Sequence, residues 1–231
     1  MKRVYKIVAV ETVEGGYQVT LDGKPVRTPA RAPLISPRRA LIDAIAAEWD
    51  AQTDEIVPDR MPMMQLVSTT VDRVASQRNR IAADVAAYAA TDLVCYRADR
   101  PAELAQRQHE IWQPLMDWAR LQFDAPLGVV TGIMPRPQPP EALQALRAAI
   151  DGLEDLELTA LHAATVASGS LVIGLALLKG RLDAEQAWAA SQLDETFQIE
   201  KWGEDAEATK RREALLQDIR NAARLLDLSR R

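Results

Sequence analysis

The first 35 residues alternate between apolar and polar side chains with the period of two that is typical of strands. Asp22-Gly23 interrupts this alternation, and it is a strong hairpin signal because a type I′ turn needs positive φ at both central residues. Residues 24–28 would return as a third strand. Three prolines between residues 25 and 33 remove backbone donors, so this part belongs at a sheet edge or outside the sheet.

Apolar residues take up helical spacing after Ser36-Pro37, where serine can cap a helix and proline suits the first helical position. Asp183 with Gln186 resembles a capping box that opens a later helix. Residues 127–133, which read as extended, and the proline-rich connector 134–140 interrupt the helical pattern. The predicted helices begin near Ser36, Met63, Ile81, Leu104, Leu143, Leu156, Asp183 and Glu204.

The most apolar part of the chain lies within the predicted helix Leu156–Leu178. From Thr165 onward this helix is apolar on nearly all sides, yet that run is shorter than the roughly 20 residues of a membrane span. We therefore expect a central buried helix and no stable membrane insertion. Gly169, Ser170 and Gly174 would let neighbouring elements pack closely against it, and Lys179-Gly180 would end it.

These patterns predict an α+β protein in which a small β-containing N-terminal domain precedes a larger, mainly α-helical C-terminal domain. Residues 1–70 would form the β-rich domain with one or two helices, and residues 71–231 the helical domain. No internal repeat with a fixed period is present.

Composition narrows the function classes without naming one. The chain has 231 residues, 48% of them hydrophobic, and 28 Lys+Arg against 33 Asp+Glu give a net charge of −5. Nonspecific nucleic-acid binding needs a basic surface, so no nucleic-acid partner is expected. The single cysteine, Cys95, cannot form an intramolecular disulfide, and the N-terminus has neither a signal-peptide run nor an Arg/Ser-rich presequence. We expect a bacterial cytoplasmic protein or a processed one.

The motifs of common enzymes are missing from the sequence. Neither of the two common glycine-rich nucleotide cradles occurs, and His109-Glu110 does not continue into a zinc-binding His-Glu-x-x-His pattern. Ser170 and His162 have no nucleophile elbow to support a catalytic triad. We therefore expect no catalytic residue, no metal and no cofactor. The alternatives are a small-molecule enzyme that uses a carboxylate or His162 near the central helix, and a generic helical interaction module.

Two features point to partner binding. The chain has five tryptophans but only two phenylalanines, and the tryptophans lie beside charged residues, either as core-edge packing or as anchors of a binding surface. Residues 193–207 concentrate acidic side chains around Phe197 and Trp202. This segment is either a solvated helix end or a docking face for a basic partner surface. Asp194 and Glu195 point about 100° apart on a helix, so they do not converge on one substrate atom.

Five motifs in order make the chain resemble the assembly chaperones of the F1 sector of F-type ATP synthase, of the kind that binds the α subunit in mitochondria and α-proteobacteria. The motifs cover nearly the whole chain. They are Leu21-Asp22-Gly23-Lys24-Pro25-Val26-Arg27-Thr28-Pro29, Ala47-Glu48-Trp49-Asp50-Ala51-Gln52, Tyr88-Ala89-Ala90-Thr91-Asp92-Leu93-Val94-Cys95-Tyr96-Arg97, Gly169-Ser170-Leu171-Val172-Ile173-Gly174-Leu175-Ala176, and Leu193-Asp194-Glu195 leading to Phe197-Gln198 and Lys201-Trp202-Gly203.

The resemblance implies a non-enzymatic, monomeric protein that binds the free α subunit until the β subunit replaces it. An acidic residue matching Asp194 matters in the family; mitochondrial members often carry Glu there, and Glu195 would share the role. The family's important tryptophan matches Trp49, as a contact or as a structural residue. Eukaryotic relatives act in the mitochondrial matrix. The expected partner-binding residues are Asp194, Glu195, Glu200, Trp202, Glu204 and Trp49.

Overall fold

A computed structural model describes residues 2–132 and 136–230 and is 65% helical, which confirms the α+β class. The strands are β1 (Val8–Val13), β2 (Gly16–Leu21), β3 (Lys24–Pro25), β4 (Tyr96–Arg97) and β5 (Val130–Thr131). The helices are α1 (Arg39–Asp50), α2 (Pro62–Thr69), α3 (Ala75–Ala87), α4 (Ala102–Phe123), α5 (Pro140–Asp151), α6 (Asp155–Ser168), α7 (Leu171–Leu178), α8 (Ala184–Ser191), α9 (Leu193–Trp202) and α10 (Ala206–Ser229). Three 3-10 segments (Pro58–Arg60, Tyr88–Thr91 and Leu93–Cys95) and a π-helical turn (Thr70–Val74) complete the order.

The N-terminal sheet has the antiparallel order β1-β2-β3. Asp22 (φ 49°) and Gly23 (φ 76°) both have positive φ, so the predicted hairpin turn is confirmed. The third strand is shorter than predicted and ends at Pro25, although Val26 N still donates to Val19 O of β2 at 2.9 Å. Strand β5 lies within the predicted extended segment 127–133 and pairs in parallel with β4; residues 133–135 lie outside the described residues.

The first helix begins three residues later than the predicted cap at Ser36. The backbone of Ser36 exchanges two hydrogen bonds with Tyr17 of β2, from Tyr17 N to Ser36 O (2.9 Å) and from Ser36 N to Tyr17 O (3.1 Å). These bonds hold Ser36 in extended geometry beside the sheet. Helix α1 therefore begins only at Arg39.

The predicted continuous helix Leu156–Leu178 is wrong in one respect, because it is two helices. Gly169 adopts a left-handed conformation (φ 69°) after α6, and Ser170 then caps α7 by accepting a hydrogen bond from Ile173 N at 3.0 Å. Every residue of α7 is buried, as the apolar pattern predicted. In residues 2–132 and 136–230, no helix is long and apolar enough to cross a membrane.

Two compact units divide the described chain. The first comprises residues 2–78, 155–160 and 224–230, and its core forms where α1 packs on β1 and β2. The second comprises residues 79–132, 136–154 and 161–223, and its core surrounds α7, which packs against α4 and α8. The domain boundary at residue 70 stays a prediction.

Candidate functional site

Helix α9 carries four of the six residues expected to bind a partner. Its own sequence determines which face of the helix is buried. Leu193 and Phe197 are one helical turn apart and are both buried, so they define the inner face of the helix. Gly203 ends the helix with φ 89°, a conformation that favours glycine. The exposure of each remaining side chain of α9 therefore depends on its angular distance from this inner face.

Asp194 lies at the edge of the inner face and is half-buried. Its Oδ1 accepts a hydrogen bond from Nε2 of Gln108 on α4 at 2.8 Å. Gln108 is buried, and its Oε1 accepts the backbone N–H of Ala98 at 2.7 Å. Burial lowers the pKa of the neighbouring Arg97, and the charge of Asp194 acts against that shift. Asp194 thus completes a network that ties α9 to α4.

Glu200 is part of an ion-pair network at the surface between the same two helices. Nη1 of Arg107 lies 2.7 Å from Glu200, and Nη2 of Arg107 lies 2.9 Å from Glu103. Lys201 contacts the other carboxylate oxygen of Glu103 at 2.8 Å. A hydrogen bond to Glu200 is the largest cause of the raised pKa of Arg107. Two carboxylates and two cations balance here, so Glu200 contributes little net negative charge to a docking face.

Both cations of this network also cover an aromatic ring. The guanidinium carbon of Arg107 lies 5.3 Å from the ring centroid of Phe197, and Nζ of Lys201 lies 5.2 Å from it. These distances suit cation–π contacts. The network therefore shields the inner face of α9, which is a structural role.

Besides the ion-paired Glu200, three more of the predicted residues, Glu195, Trp202 and Glu204, are exposed. Trp202 is 78% exposed at the last position of α9, and Glu204 follows it in the loop before α10. Glu195 lines a cavity of about 320 Å³ whose wall also includes Arg211 and Arg212 of α10. The predicted acidic face is thus divided between carboxylates used inside the fold and residues that face solvent.

Trp49, the sixth predicted residue, belongs to the first compact unit and lies on α1. Its ring meets Tyr5 edge-on, with centroids 5.7 Å apart, and its backbone oxygen accepts the Tyr5 hydroxyl at 2.7 Å. The indole also lines a cavity of about 530 Å³ within this unit.

The side chains that the sequence offered as candidates for catalysis do not form a catalytic site in the described residues. Burial raises the pKa of the Cys95 thiol to about 12, so it stays protonated at neutral pH. Ser170 is fully buried, and its hydroxyl donates to Asp92 Oδ1 at 2.5 Å. His109 and His162 are both exposed. Within the described ranges, no three His, Cys, Asp or Glu side chains come together as a metal site would require.

Sequence reasoning did not find the partners of the acidic residues. Gln108 and Arg107 lie on α4, 86 and 93 residues before Asp194 and Glu200. Nothing in the local pattern of α4 distinguishes them from other polar residues on a helix surface. Sequence reasoning also did not identify Asp92 as a hydrogen-bonded buried carboxylate, although it directly precedes the apolar residues Leu93-Val94-Cys95.

The sequence and the structure of the chain both match those of one protein family. The sequence pattern of the family described as "ATP12 chaperone protein" matches residues 2–120. A relative from Schizosaccharomyces pombe, "Protein atp12, mitochondrial", is 25% identical over 223 residues, which cover 89% of this chain and 75% of that protein.

Solved structures agree over nearly the full length. Atp12 from Paracoccus denitrificans is 42% identical with a TM-score of 0.94, and the match covers 99% of this chain and 98% of that one. The Atu1473 protein from Agrobacterium tumefaciens is 43% identical with a TM-score of 0.93, covering 98% and 85%. These matches confirm the predicted class, a chaperone of F1 assembly, and the enzyme alternative is wrong. The chain belongs to the ATP12 chaperone family.

Proposed function

We propose that this chaperone binds the free α subunit of the F1 sector of ATP synthase and holds it until the β subunit takes its place. The observation that carries the proposal, together with the family, is Trp202. Its side chain is 78% exposed at the end of an acid-rich helix. A large indole in water favours contact with a partner, and tryptophan is enriched at the energetic centres of protein interfaces.

The client's chemistry fits such a surface. A free subunit of a ring exposes apolar interfaces that aggregate until assembly covers them. Trp202 offers an apolar anchor, while the exposed carboxylates Glu195 and Glu204 offer negative charge on the same helix and the loop after it. Complementary charge speeds encounter and disfavours wrong partners. This chemistry favours a client surface that is apolar with a basic rim.

We assign a different role to Asp194 and Glu200. Both are bonded to side chains of α4, Asp194 to Gln108 and Glu200 to Arg107. In this proposal they are positioning residues that hold α9, and so Trp202, in place. Glu195, Trp202 and Glu204 contact the α subunit directly.

The test uses the purified full-length chain and isolated α subunit without ATP. Trp202→Ser should weaken capture of the α subunit by about 30-fold, the loss typical of a hot-spot aromatic, and leave the melting temperature unchanged. Leu121→Ser is the matched control, because Leu121 is 86% exposed on α4 in the same unit. Binding is measured by titration and aggregation by light scattering. Failure of the wild-type chain to bind the α subunit overturns the proposal.

A second control addresses charge. Glu204→Lys should slow association and reduce its salt dependence, since it reverses a carboxylate beside the proposed contact. Asp99→Lys reverses an exposed loop carboxylate elsewhere in the same unit and should leave the association rate near the wild-type value. Equal effects of the two substitutions would mean that only the net charge matters.

We also infer that the protein acts as a monomer in a reducing compartment, the bacterial cytoplasm. The support for the reducing compartment is Cys95, the single cysteine, which is buried and forms no disulfide. The S. pombe relative is described as mitochondrial. Light scattering coupled to size exclusion tests the monomer, and fractionation of native cells tests the compartment.

A further inference from the structure

The first compact unit contains an apolar cavity of about 530 Å³ beside Trp49. Pro58, Met61 and Met64 are among the apolar residues that line it. A cavity of this size with a mostly apolar lining and a few polar groups is the usual form of a binding site. The expected role of α9 does not involve this cavity.

Two residues that line the cavity each carry a buried polar atom with no hydrogen-bond partner among the described residues. The indole Nε1 of Trp49 and the hydroxyl Oγ of Ser68 are both closed to solvent, and neither makes a hydrogen bond among the residues that the structure describes. Both residues line the cavity. Buried N–H and O–H groups nearly always form hydrogen bonds in native proteins. Two unpaired donors in residues that line one cavity therefore indicate that an acceptor is missing.

The wall that carries these atoms is held rigidly. The buried Glu48 carboxylate accepts the backbone N–H groups of Met63 and Met64, each at 2.8 Å, and so fixes the start of α2 beside α1. Asp72 accepts the Thr28 hydroxyl at 2.6 Å and the Ala30 N–H at 3.0 Å. The backbone around the cavity is therefore in place before any partner arrives, and the carboxylate of Asp72 is already bonded.

The helical run that forms one side of the cavity is irregular there. Between α2 and α3 the chain makes a π-helical turn, Thr70–Val74, and Asp72 within this turn lines the cavity. Such turns occur mostly as single insertions in helices, often at functional sites. The turn widens the helix at the place where it faces the cavity.

We propose that this cavity receives an extended apolar segment of the α subunit, whose backbone carbonyl accepts the Trp49 indole N–H. The inference rests on the proposed function, because it takes the α subunit as the client. The backbone carbonyl of an apolar segment is a neutral hydrogen-bond acceptor between apolar side chains. Such a segment therefore suits a cavity that has an apolar lining and unpaired N–H and O–H donors. The indole nitrogen is closed to solvent in the free protein, so the proposal requires the side chains around it to shift as the segment enters; Met61 and Met64, which line the cavity, have flexible side chains that suit such a shift.

The first test fills the cavity. Ser68→Leu replaces an unpaired buried hydroxyl by an apolar side chain, so the Tm should stay the same or rise. Affinity for the α subunit should fall by about tenfold or more, because the segment loses its space. The control is Ser76→Leu, an exposed serine of α3 in the same unit, which should change neither quantity.

The second test removes only the donor. Trp49→Phe keeps an aromatic ring against Tyr5 and deletes the indole N–H, so the Tm should remain close to that of the wild type. Affinity should fall about 5- to 10-fold, the cost of one hydrogen bond. Trp112→Phe is the contrasting control, because Trp112 Nε1 donates to Ala190 O at 2.8 Å and its loss should lower the Tm.

A photo-crosslinking residue at position 69 provides a readout that does not depend on these variants. Thr69 is exposed and lines the cavity, so its crosslinker should react with the α subunit, whereas one at Ser76 should not. If wild-type protein does not bind the α subunit, the proposed function fails and this inference fails with it. If wild-type binds, Trp202→Ser weakens binding, and the cavity variants and the crosslinker at 69 have no effect, the cavity inference alone is wrong.

Discussion

The carboxylate of Asp92 accepts a 2.5 Å hydrogen bond from the hydroxyl of Ser170, although the two residues are 78 positions apart in the chain. The same carboxylate accepts Val172 N at 3.0 Å and Val94 N at 3.2 Å. It therefore satisfies donors at the N-terminus of the buried helix α7, where a negative charge is also favoured by the helix dipole. Two of the motifs that carry the family resemblance meet in this one contact.

Asp92 should make stability depend on pH. Burial raises its pKa to about 6, and the hydrogen bonds from Ser170, Val172 and Val94 act in the opposite direction. The folded protein thus retains this proton more strongly than the unfolded chain, whose aspartate pKa is about 4. The free energy of unfolding should fall as pH rises from about 4 to 6, by at most about 3 kcal/mol from this group.

The measurement is urea unfolding of wild type and Asp92→Asn between pH 3.5 and 7. The variant cannot ionise, and its amide leaves one N–H of α7 without an acceptor, so it should be less stable by about 1–3 kcal/mol. The difference between the two proteins should be largest at low pH and shrink through pH 6. A difference that grows with pH would mean that the folded-state pKa is lowered instead.

Glycine is required at position 174 because α7 lies against α6 there. A Cβ at this position would lie 2.6 Å from Thr165 Oγ1 and 3.1 Å from Leu161 Cδ1. Gly174→Ala should therefore destabilise the protein by about 1–3 kcal/mol through overpacking, despite alanine's better helix propensity. Chemical unfolding measures the loss.

Two further substitutions check that explanation. At Gly152, which follows α5, a Cβ would meet nothing closer than 3.9 Å, so Gly152→Ala should be neutral or slightly stabilising. Thr165→Ala removes the clashing hydroxyl, which has no hydrogen-bond partner among the described residues. The double variant should recover part of the stability lost in Gly174→Ala, and strict additivity would argue against the clash.

Asp194→Lys should lower both stability and client capture. The substitution leaves the buried amide of Gln108 without its acceptor and places a cation near Arg97. We expect a loss of about 1–3 kcal/mol in the free energy of unfolding. This expectation differs from that of a purely solvated carboxylate, whose reversal would leave the Tm unchanged.

Neighbouring variants separate the two roles of α9. Asp194→Asn keeps an oxygen for Gln108 and should stay close to wild type in stability. Glu195→Lys reverses the exposed carboxylate next in the chain and should weaken capture without changing the Tm. If Asp194→Lys leaves the Tm intact while capture is lost, Asp194 contacts the client directly and is not a positioning residue.

Glu48 should contribute to stability through the start of α2. Its carboxylate, which is buried, accepts the N–H groups of Met63 and Met64, and burial is the largest cause of its raised pKa. Glu48→Ala should cost about 2–4 kcal/mol because two buried donors lose their acceptor. Glu48→Gln retains one acceptor oxygen and should cost less. Thermal unfolding of both variants at pH 7 decides whether this order holds.

Local sequence signals were sufficient where the structure is set by neighbouring residues. The hairpin at Asp22-Gly23 forms because its φ values suit those residues, and the capping box of Asp183 with Gln186 is present at the start of α8. The burial of all of α7 also follows from its unbroken apolar pattern. Propensity, capping and periodicity act within a few residues, so they can be read along the chain.

The role of each acidic side chain was decided only by the tertiary structure. Glu195 and Glu200 are both exposed acids on one helix, yet Glu200 pairs with Arg107, 93 positions away in the chain, while Glu195 lines a cavity. The same holds for Trp49, whose unpaired indole N–H depends on what α2 brings beside it. The sequence indicated most of the elements and the family of this protein. Packing between distant segments determined which polar groups are bonded and which are left for a partner, because hydrogen bonds and ion pairs depend on distances that only the folded chain sets.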